Sequence, residues 1–572
     1  MEKIFGIDLG TTNSEISYLN DGNPEIIEVT DGKKYLPSVV GTNSEGEIVT
    51  GFAARNLYAA YPENVVVSIK RKMGSGEKVT MAGKEFSPAQ VSSHILRALK
   101  IAAERATGMS VNKVVITVPA YFNDAQRSDT MLAGELADLE VVRIINEPTA
   151  AALAYGNHPK KREKLLVYDL GGGTFDVSLI DAEERVIEVI ATDGDTQLGG
   201  DDFDDLLVQM LASHLPDEVD PTNDLRLLAR LRNVAESTKI ALSTQTTFDL
   251  KESSVTAANG KPVNLELLVS RRDFETRIDE TLDKTFALVR GVLDEKRLKS
   301  RDISKILLVG GSTYIPKVFN TLNQEFDCEV HRGLDPTYCV SIGAAIQGAI
   351  ISGEEIDAIL VDVNSHSLGI RCANARALGV LDFDAYSAII HRNTPIPASM
   401  SNTYYTMYDG QESVLIEVFQ GEETRASKNS FVGSFTLENL PKKNPAGSEV
   451  DVSFKYNING VVEITASERK SGENEAISID VNRISDADEA AKRIAEDSND
   501  LGEFSREDSV EFDEKKIKRL VRRANKSIEQ IDDETDRSEL IELAEKLERA
   551  LEANDSSVIE LSDKLAEMLA GL

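Results

Sequence analysis

A multidomain chain, with an α/β region followed by an all-β region and a short helical region, is predicted by three observations. From residue 1 to about 353, short apolar runs rich in β-branched residues alternate with helical patterns, as where Lys113–Val118 precedes residues 125–136. Period-two alternation broken by turn residues fills 364–482. From about 514 the apolar residues fall at the three-and-four spacing of one helix face. At 572 residues the chain is too long for one hydrophobic core.

Within the α/β region, Phe5-Gly6-Ile7-Asp8-Leu9-Gly10-Thr11-Thr12-Asn13-Ser14 reads as a strand, a tight turn that glycine permits, and a second strand. Such a hairpin offers backbone N–H groups and hydroxyls to phosphate oxygens. A related pattern returns as Val167-Tyr168-Asp169-Leu170-Gly171-Gly172-Gly173-Thr174-Phe175-Asp176-Val177-Ser178. One glycine-rich turn is ordinary structure, but two copies mark an internal duplication. They suggest two related lobes whose hairpins face each other across a cleft and hold a nucleotide's phosphates from both sides. Asp8 and Asp169 would then stand where a hydrated Mg²⁺ needs oxygen ligands. The chain has no Walker loop, whose glycines precede Lys and Ser or Thr at the mouth of a helix. In a third segment, Ile306-Leu307-Leu308-Val309-Gly310-Gly311-Ser312-Thr313, a buried strand runs into a glycine pair suited to close approach by a flat base or sugar.

Between Gly353 and Leu368 an apolar string flanked by acids and free of Gly and Pro, 354–363, marks the main domain boundary. Turn signals such as Tyr408-Asp409-Gly410, Asn444-Pro445-Ala446-Gly447 and Asn457-Ile458-Asn459-Gly460 then segment 364–482 into the short strands of a β-sandwich. Farther on, Ile517, Leu520, Val521, Ala524, Ile528 and Ile531 begin a pattern that recurs twice, to Met568, and suggests a three-helix bundle. Ser557 with Glu560 makes a capping box for the last helix, and the polar residues 497–513 read as a flexible join.

Charge and cysteine content narrow the partners. A formal net charge of −34 repels phosphate backbones and anionic lipid, so neither nucleic acid nor membrane is expected as the main partner. Cys328, Cys339 and Cys372 lack a CxxC pair and metal-ligand spacing, which predicts reduced, buried thiols. Asp8 interrupts the N-terminal apolar stretch before a signal segment can form, and no run approaches the ~18 apolar residues of a membrane span. A cytoplasmic protein is expected.

These residues together carry a family resemblance. The chain resembles the seventy-kilodalton heat-shock chaperones in their DnaK-like form, through both hairpins and through Ile69-Lys70-Arg71, Val118-Pro119-Ala120-Tyr121-Phe122-Asn123-Asp124, Ile145-Asn146-Glu147-Pro148-Thr149-Ala150-Ala151-Ala152 and Leu198-Gly199-Gly200-Asp201-Asp202-Phe203-Asp204. The resemblance implies an actin-like, ribonuclease-H-like duplicated ATPase domain at 1–353, an interdomain linker at 354–363, a substrate-binding β-sandwich at 364–482 and a short helical lid at 483–572. It implies ATP/ADP with Mg²⁺, and K⁺ as a further cation. Lys70 would contact the γ-phosphate, and Glu147 and Asp169 would orient the attacking water or its Mg²⁺ shell. Thr11, Thr12 and Thr174 would donate to phosphate beside Gly10, Asn13, Gly171, Gly172, Gly173, Gly199 and Gly200. Glu236, Lys239 and Ser243 would hold the adenosine, with Gly310, Gly311, Ser312 and Tyr314 at the base. Pro119, Arg127, Arg143, Leu360 and Asp362 match positions of linker docking and J-domain contact. Ile370, Tyr404, Val414 and Ile416 match the peptide pocket, with Ala373 and Met407 arching over the peptide. The implied partners are extended polypeptide clients, a J-domain cochaperone and a GrpE-type exchange factor.

The sequence also departs from that pattern. Tyr314 stands where the family places an arginine on adenine, which removes a cationic contribution. Asp335-Pro336-Thr337-Tyr338-Cys339-Val340 replaces a more acidic segment, and Asn364-Ser365-His366 replaces the usual Thr-Pro-Leu. Large and small are exchanged between Ala373 and Met407, and residues 486–496 shorten the first lid helix. The chain ends at Gly571-Leu572 without the acidic tail motif of eukaryotic cytosolic members, so a bacterial-type member is expected. Two other readings stay open. A small-molecule kinase of the actin-like superfamily would have no use for residues 364–572. A non-catalytic scaffold fits Tyr314 and the short lid but not the intact Asp8, Lys70, Glu147 and Asp169.

Overall fold

Two sheets repeat one topology in the computed structural model. It describes residues 2–479 other than 31, 157–161, 259–260, 332, 334, 355, 357, 376–380, 458–461 and 470–473, together with eight helical positions between Ile541 and Leu565. In the first sheet Ile4–Leu9, Asn13–Asn20 and Asn23–Ile26 form an antiparallel meander, and Lys113–Val118 and then Glu140–Asn146 add in parallel beside Ile4–Leu9. In the second, Glu163–Leu170, Phe175–Glu183 and Val186–Asp195 form the meander, and Lys305–Val309 and then Glu329–His331 add in parallel beside Glu163–Leu170. The duplication seen in the hairpins thus extends to five strands in each copy.

Parallel strands are covered on both faces, so they read as continuous apolar runs rather than alternating ones. Val114, Val115, Ile116 and Val118 are all buried. The covering helices are sharply bounded by local chemistry. Ser87 accepts from the Gln90 N–H while the Gln90 side chain accepts from the Ser87 N–H, Pro88 opens the helix Pro88–Thr107, and Gly108 at φ 70° closes it. Asn123 and Gln126 make the same reciprocal pair at the start of Asp124–Leu136.

Between the two sheets lie the helices Glu147–Tyr155 and Cys339–Ser352, in a core shared by Ile4 and Val115 of one lobe with Leu165, Val167 and Leu307 of the other. Small residues let the backbones touch. A Cβ on Gly343 would lie 1.8 Å from the Ala150 carbonyl oxygen, and one on Gly6 would lie 2.1 Å from the Ala345 nitrogen.

Met1–Ser367, Ile390–Asp409 and Pro445–Ser485 form one compact unit; Leu368–Ile389, Gly410–Asn444 and Asp486–Leu572 form a second. The first contains the strand Ile359–Val363, parallel to Val186–Asp195 and antiparallel to Pro395–Ile396. It also contains an antiparallel sheet of Ala398–Tyr405, Glu449–Tyr456, Val462–Glu468 and Asn474–Ile479, with Val450, Val452, Phe454, Ile464 and Ala466 buried. The second contains a sheet ordered Leu381–Ile390, Leu368–Ala375, Val414–Gln420, Ser430–Leu437.

Of the three cysteines only Cys339 is buried; Cys328 and Cys372 are partly exposed, and none forms a disulfide. Cys328 directly precedes the short edge strand Glu329–His331 and Cys372 lies on the strand Leu368–Ala375, so the expectation that all three are buried is corrected. No helix among the described residues is long and apolar enough to cross a membrane. Of the expected helical bundle, the described positions around Leu543–Leu547 and at Leu561 and Leu565 are helical, with Ala544, Leu547 and Leu565 buried. The first face from Ile517 to Ile531, the Ser557–Glu560 box, residues 486–496 and 497–513, and the turn around 458–460 lie outside the described residues.

Candidate functional site

The two duplicated turns meet. A Cβ on Gly172 would lie 1.9 Å from Thr12 Oγ1, and one on Gly173 would lie 2.7 Å from Thr11 Cγ2, so the threonines of the first turn fit against the second only because glycines stand there. Behind them a Cβ on Gly199 would lie 2.6 Å from the Gly172 carbonyl carbon, which packs the start of the helix Gly200–Ala212 onto the second turn. Around these turns lies a cavity of about 200 Å³. Asp8, Gly10, Thr11, Thr12 and Asn13 line it from one hairpin, and Asp169, Gly171, Gly172 and Thr174 from the other. Lys70 and Glu147 also line it. Glu236 and Lys239 of the helix Leu225–Thr244 enter opposite Gly310, Gly311 and Ser312. A second cavity, of about 730 Å³, shares Thr11, Thr12 and Glu236 with the first.

Lys70 is carried by a single 3₁₀ turn, Ile69–Lys72, preceded by Ser68 in the left-handed region at φ 51°. Such a conformation costs a non-glycine residue about 1–2 kcal/mol and persists where surrounding contacts fix it. Here the Ser68 hydroxyl donates to Asp201 Oδ2 at 2.6 Å. Lys70 Nζ donates to Glu147 Oε1 at 2.5 Å, with side chains only 6% and 9% exposed. Burial opposes the lysine's charge, but the carboxylates of Glu147 and Asp8 outweigh it and hold the ammonium above its ordinary range. Burial, then Glu147, pushes Asp8 up to about 7, although Thr117 Oγ1 donates to its Oδ1 at 3.0 Å. Asp169 lies well above the usual carboxylate range for the same two reasons. Asp169 Oδ2 and Asn13 Oδ1 are buried without a hydrogen-bond partner among the described residues.

These orphaned oxygens, the touching glycines and the carboxylates fit a phosphate ester with a hydrated divalent cation. Toward the base side, Lys239 Nζ donates to Asp204 Oδ2 at 2.6 Å and to the Gly200 carbonyl at 3.0 Å. Ser312 Oγ donates to the Gly171 carbonyl at 2.9 Å. Gly310 adopts φ 81° where a Cβ would meet the Leu170 carbonyl at 2.4 Å. Ser243 sits one helical turn beyond Lys239 and donates to its carbonyl at 3.4 Å. Half-exposed Tyr314 donates from its hydroxyl to Asp335 Oδ1 at 3.1 Å.

Beyond Glu147 a polar chain leads to the strand Ile359–Val363. Arg127 donates to the Ala120 carbonyl and to Asn146 Oδ1, at 3.3 and 2.6 Å. Asn146 Nδ2 donates to both oxygens of Asp362, at 3.1 and 3.0 Å, and Thr149 Oγ1 donates to one of them at 3.2 Å. Pro119 closes the adjacent turn, its carbonyl accepting from the Phe122 N–H. Leu360 packs against the inter-lobe core. Arg143 is driven below its ordinary range by burial, with Asp362 opposing.

Ile370, Ala373, Val414 and Ile416 lie on neighbouring strands of the second unit, Ile370 and Ile416 buried and Ala373 exposed. Tyr404 and Met407 belong to the first unit, Tyr404 opposite Val450 and Met407 just past that strand, 46% exposed. Sequence reasoning missed Thr117 and Glu15 in this region, and Asp176 stood in the second hairpin string without a role. It quoted Asn146 and Thr149 within a shared string but gave them no role.

A duplicated α/β fold whose two turns close on a buried lysine and several carboxylates has the layout of a nucleotide-cleft ATPase. The Hsp70 protein family model matches residues 4–79 and 75–570. The chaperone protein DnaK of Mycoplasma mobile is 39% identical over 573 aligned residues, 99% of this chain and 92% of that protein. The chain belongs to the Hsp70 family of ATP-dependent molecular chaperones, an actin-like ATPase joined to a β-sandwich, and it is an ATPase.

Proposed function

We propose that the chain is an ATP-driven clamp on extended apolar segments of unfolded proteins, with its nucleotide held between the two duplicated turns. Residues 1–353 are then the ATPase domain, 354–363 the linker, 364–482 the substrate-binding domain and 483–572 a short lid. Bound MgATP supplies the phosphoanhydride that is hydrolysed, its Mg²⁺ held through water by Asp8 and Asp169, with K⁺ as a companion ion. Lys70 keeps a fixed cation where negative charge develops. Glu147 and Asp169 accept hydrogen bonds from water and orient it. Thr11, Thr12 and Thr174 donate hydroxyls, and Gly10, Asn13, Gly171–Gly173, Gly199 and Gly200 offer close-approaching backbone. Glu236, Lys239, Ser243 and the Gly310–Tyr314 turn hold the adenosine.

Ile370, Val414 and Ile416 receive an apolar side chain of the peptide, with Ala373 over it, and Tyr404 and Met407 of the first unit are further peptide-contacting residues. The peptide site is open with ATP and closed with ADP, coupled through Pro119, Arg127, Arg143, Leu360 and Asp362. Support for that route comes from the hydrogen bonds that run from Arg127 through Asn146, the neighbour of Glu147, to Asp362. A J-domain cochaperone stimulates hydrolysis, and a GrpE-type exchange factor releases ADP, in the cytoplasm.

The observation that carries this reading is the buried Lys70–Glu147 pair at a cavity walled by both hairpins. The test is steady-state ATP hydrolysis with and without an extended apolar peptide, repeated for Lys70→Ala. Peptide is expected to stimulate the wild type, and the variant to lose about 10²–10³ in rate while still binding ADP. Hydrolysis indifferent to peptide would favour a kinase or a scaffold.

A further inference from the structure

The Ala120–Tyr121 peptide group is hydrogen-bonded on both sides. Its N–H donates to Asp176 Oδ1 at 3.0 Å, and its carbonyl accepts from the Ser365 hydroxyl and, at 3.3 Å, from Arg127. A trans peptide points these two groups in opposite directions, so this one bridges the second duplicated hairpin and the segment that follows the strand Ile359–Val363. The adjoining Tyr121 carbonyl accepts from His366 Nε2 at 2.9 Å, and the two rings pack at a tilt with centroids 4.4 Å apart. A carbonyl only accepts, so Nε2 carries a hydrogen. Asn364 shapes the grip. Its Nδ2 donates to the His366 carbonyl at 2.8 Å, and its Oδ1 accepts from the Thr394 N–H at 2.9 Å. Asn364 and Ser365 are only 4% and 5% exposed. The usual proline and leucine at 365 and 366 would have neither the hydroxyl nor the ring nitrogen that makes these bonds.

At the far end of the bridge, Asp176 stands directly opposite Asp169 in the hairpin, so both side chains leave one face of it. Asp176 is 1% exposed, and its Oδ2 has no hydrogen-bond partner among the described residues, so the Tyr121 N–H supplies its hold on the carboxylate through Oδ1. Hydrogen bonds in series polarise one another, and a donor on the Ala120 carbonyl strengthens the N–H at the other end of the same peptide. Resting on the reading of this cleft as the site of ATP hydrolysis, we propose that Ser365 and His366 are positioning residues for that reaction. They hold the Ala120–Tyr121 peptide so that its N–H orients Asp176 beside the water-orienting Asp169. Neither residue lines the nucleotide cavity, so their contribution falls on the rate of hydrolysis and not on nucleotide affinity.

The test is single-turnover hydrolysis of prebound ATP by the full chain and its Ser365→Ala, His366→Leu and His366→Gln variants, with labelled ADP titrated into each. Ser365→Ala and His366→Leu are expected to hydrolyse about three- to tenfold more slowly, the effect of one hydrogen bond on a barrier. Their ADP affinity should match the wild type. Glutamine keeps an N–H donor near the place of Nε2, so His366→Gln should recover most of the rate. Hydrogen exchange at the Tyr121 amide should quicken in both slow variants. Unchanged or faster hydrolysis in either variant overturns that residue's role, as does His366→Gln as slow as His366→Leu for His366. Unchanged protection of the Tyr121 amide overturns the route through this peptide. ADP affinity that falls in step with the rate also defeats the proposal, since the segment would then shape the whole cleft. A wild type that neither binds ADP nor hydrolyses ATP defeats the nucleotide reading itself, whereas an active wild type matched by its variants defeats the positioning role alone.

Discussion

At Lys70 the chain keeps a charged ammonium buried because two carboxylates surround it, and on a buried carboxylic acid burial likewise acts against the charged form. Asp124, at the first position of the helix Asp124–Leu136, is pushed up to about 7 by burial, with Arg127 opposing. An unfolded aspartate titrates near ~3.9. The native state therefore binds the proton more readily than the unfolded chain, so stability falls as pH rises between about 4 and about 7. Below that window both states are protonated, and above it the loss is complete. Asp124→Asn removes this contribution. Urea midpoints measured across the window should decline less steeply for the variant than for the wild type, and parallel slopes would clear Asp124 of the effect.

Elements were legible in the sequence to the extent that their pairing is local. Both hairpins announced themselves because a few residues separate each strand from its partner, as where Asp8 faces Glu15 across the Gly10–Thr12 turn. The parallel strands Lys113–Val118 and Lys305–Val309 read only as apolar runs, since nothing in such a run names its distant neighbour. Glu15 was overlooked for a related reason. In Asn13-Ser14-Glu15-Ile16-Ser17 a polar residue in an alternating strand reads as solvent-facing, yet this sheet is covered on both sides. The period-two alternation of 364–482 did mark strands, but alternation carries no information on which sheet joins which unit. The strand Ile359–Val363 stood out as apolar without turn residues, while its partner Val186–Asp195 lies far away in sequence. Its docking can be tested on the backbone alone. Ile359 has a half-exposed side chain but donates its N–H to the Arg185 carbonyl at 2.7 Å. Ile359→Pro removes that donor with little loss of apolar burial. A cost of about 1–2 kcal/mol would lower the docked population about five- to thirtyfold. Hydrogen exchange at Leu360 and Val361 should accelerate with ATP bound, and unchanged protection would show that the strand is held by side chains.

On the scale of the whole nucleotide-cleft unit, two lobes share one pair of small-residue helices at their base and are tied across the cleft above. Arg55 of the helix Phe52–Tyr58 is bonded to Glu236 of the opposite lobe, and Arg71 reaches the Gln197 carbonyl at 2.6 Å and Asp202 at 3.2 Å. A ligand gripped by both lobes stabilises their closed arrangement by mass action, about 2.7 kcal/mol at a hundredfold excess over Kd. It leaves only when the ties open. Because the Arg55 side chain is 34% exposed, solvent screens its pairing, and such a tie contributes about 0.2–1 kcal/mol. Arg55→Ala should therefore speed dissociation of labelled ADP by up to about fivefold, since 1.4 kcal/mol corresponds to a factor of ten. Stopped-flow displacement by excess unlabelled ADP gives that rate directly. Raised salt should speed release from the wild type and have less effect on the variant, because the screened pair is already gone. If salt accelerates both alike, the lobes are held by their helical base and the bound nucleotide rather than by this bridge.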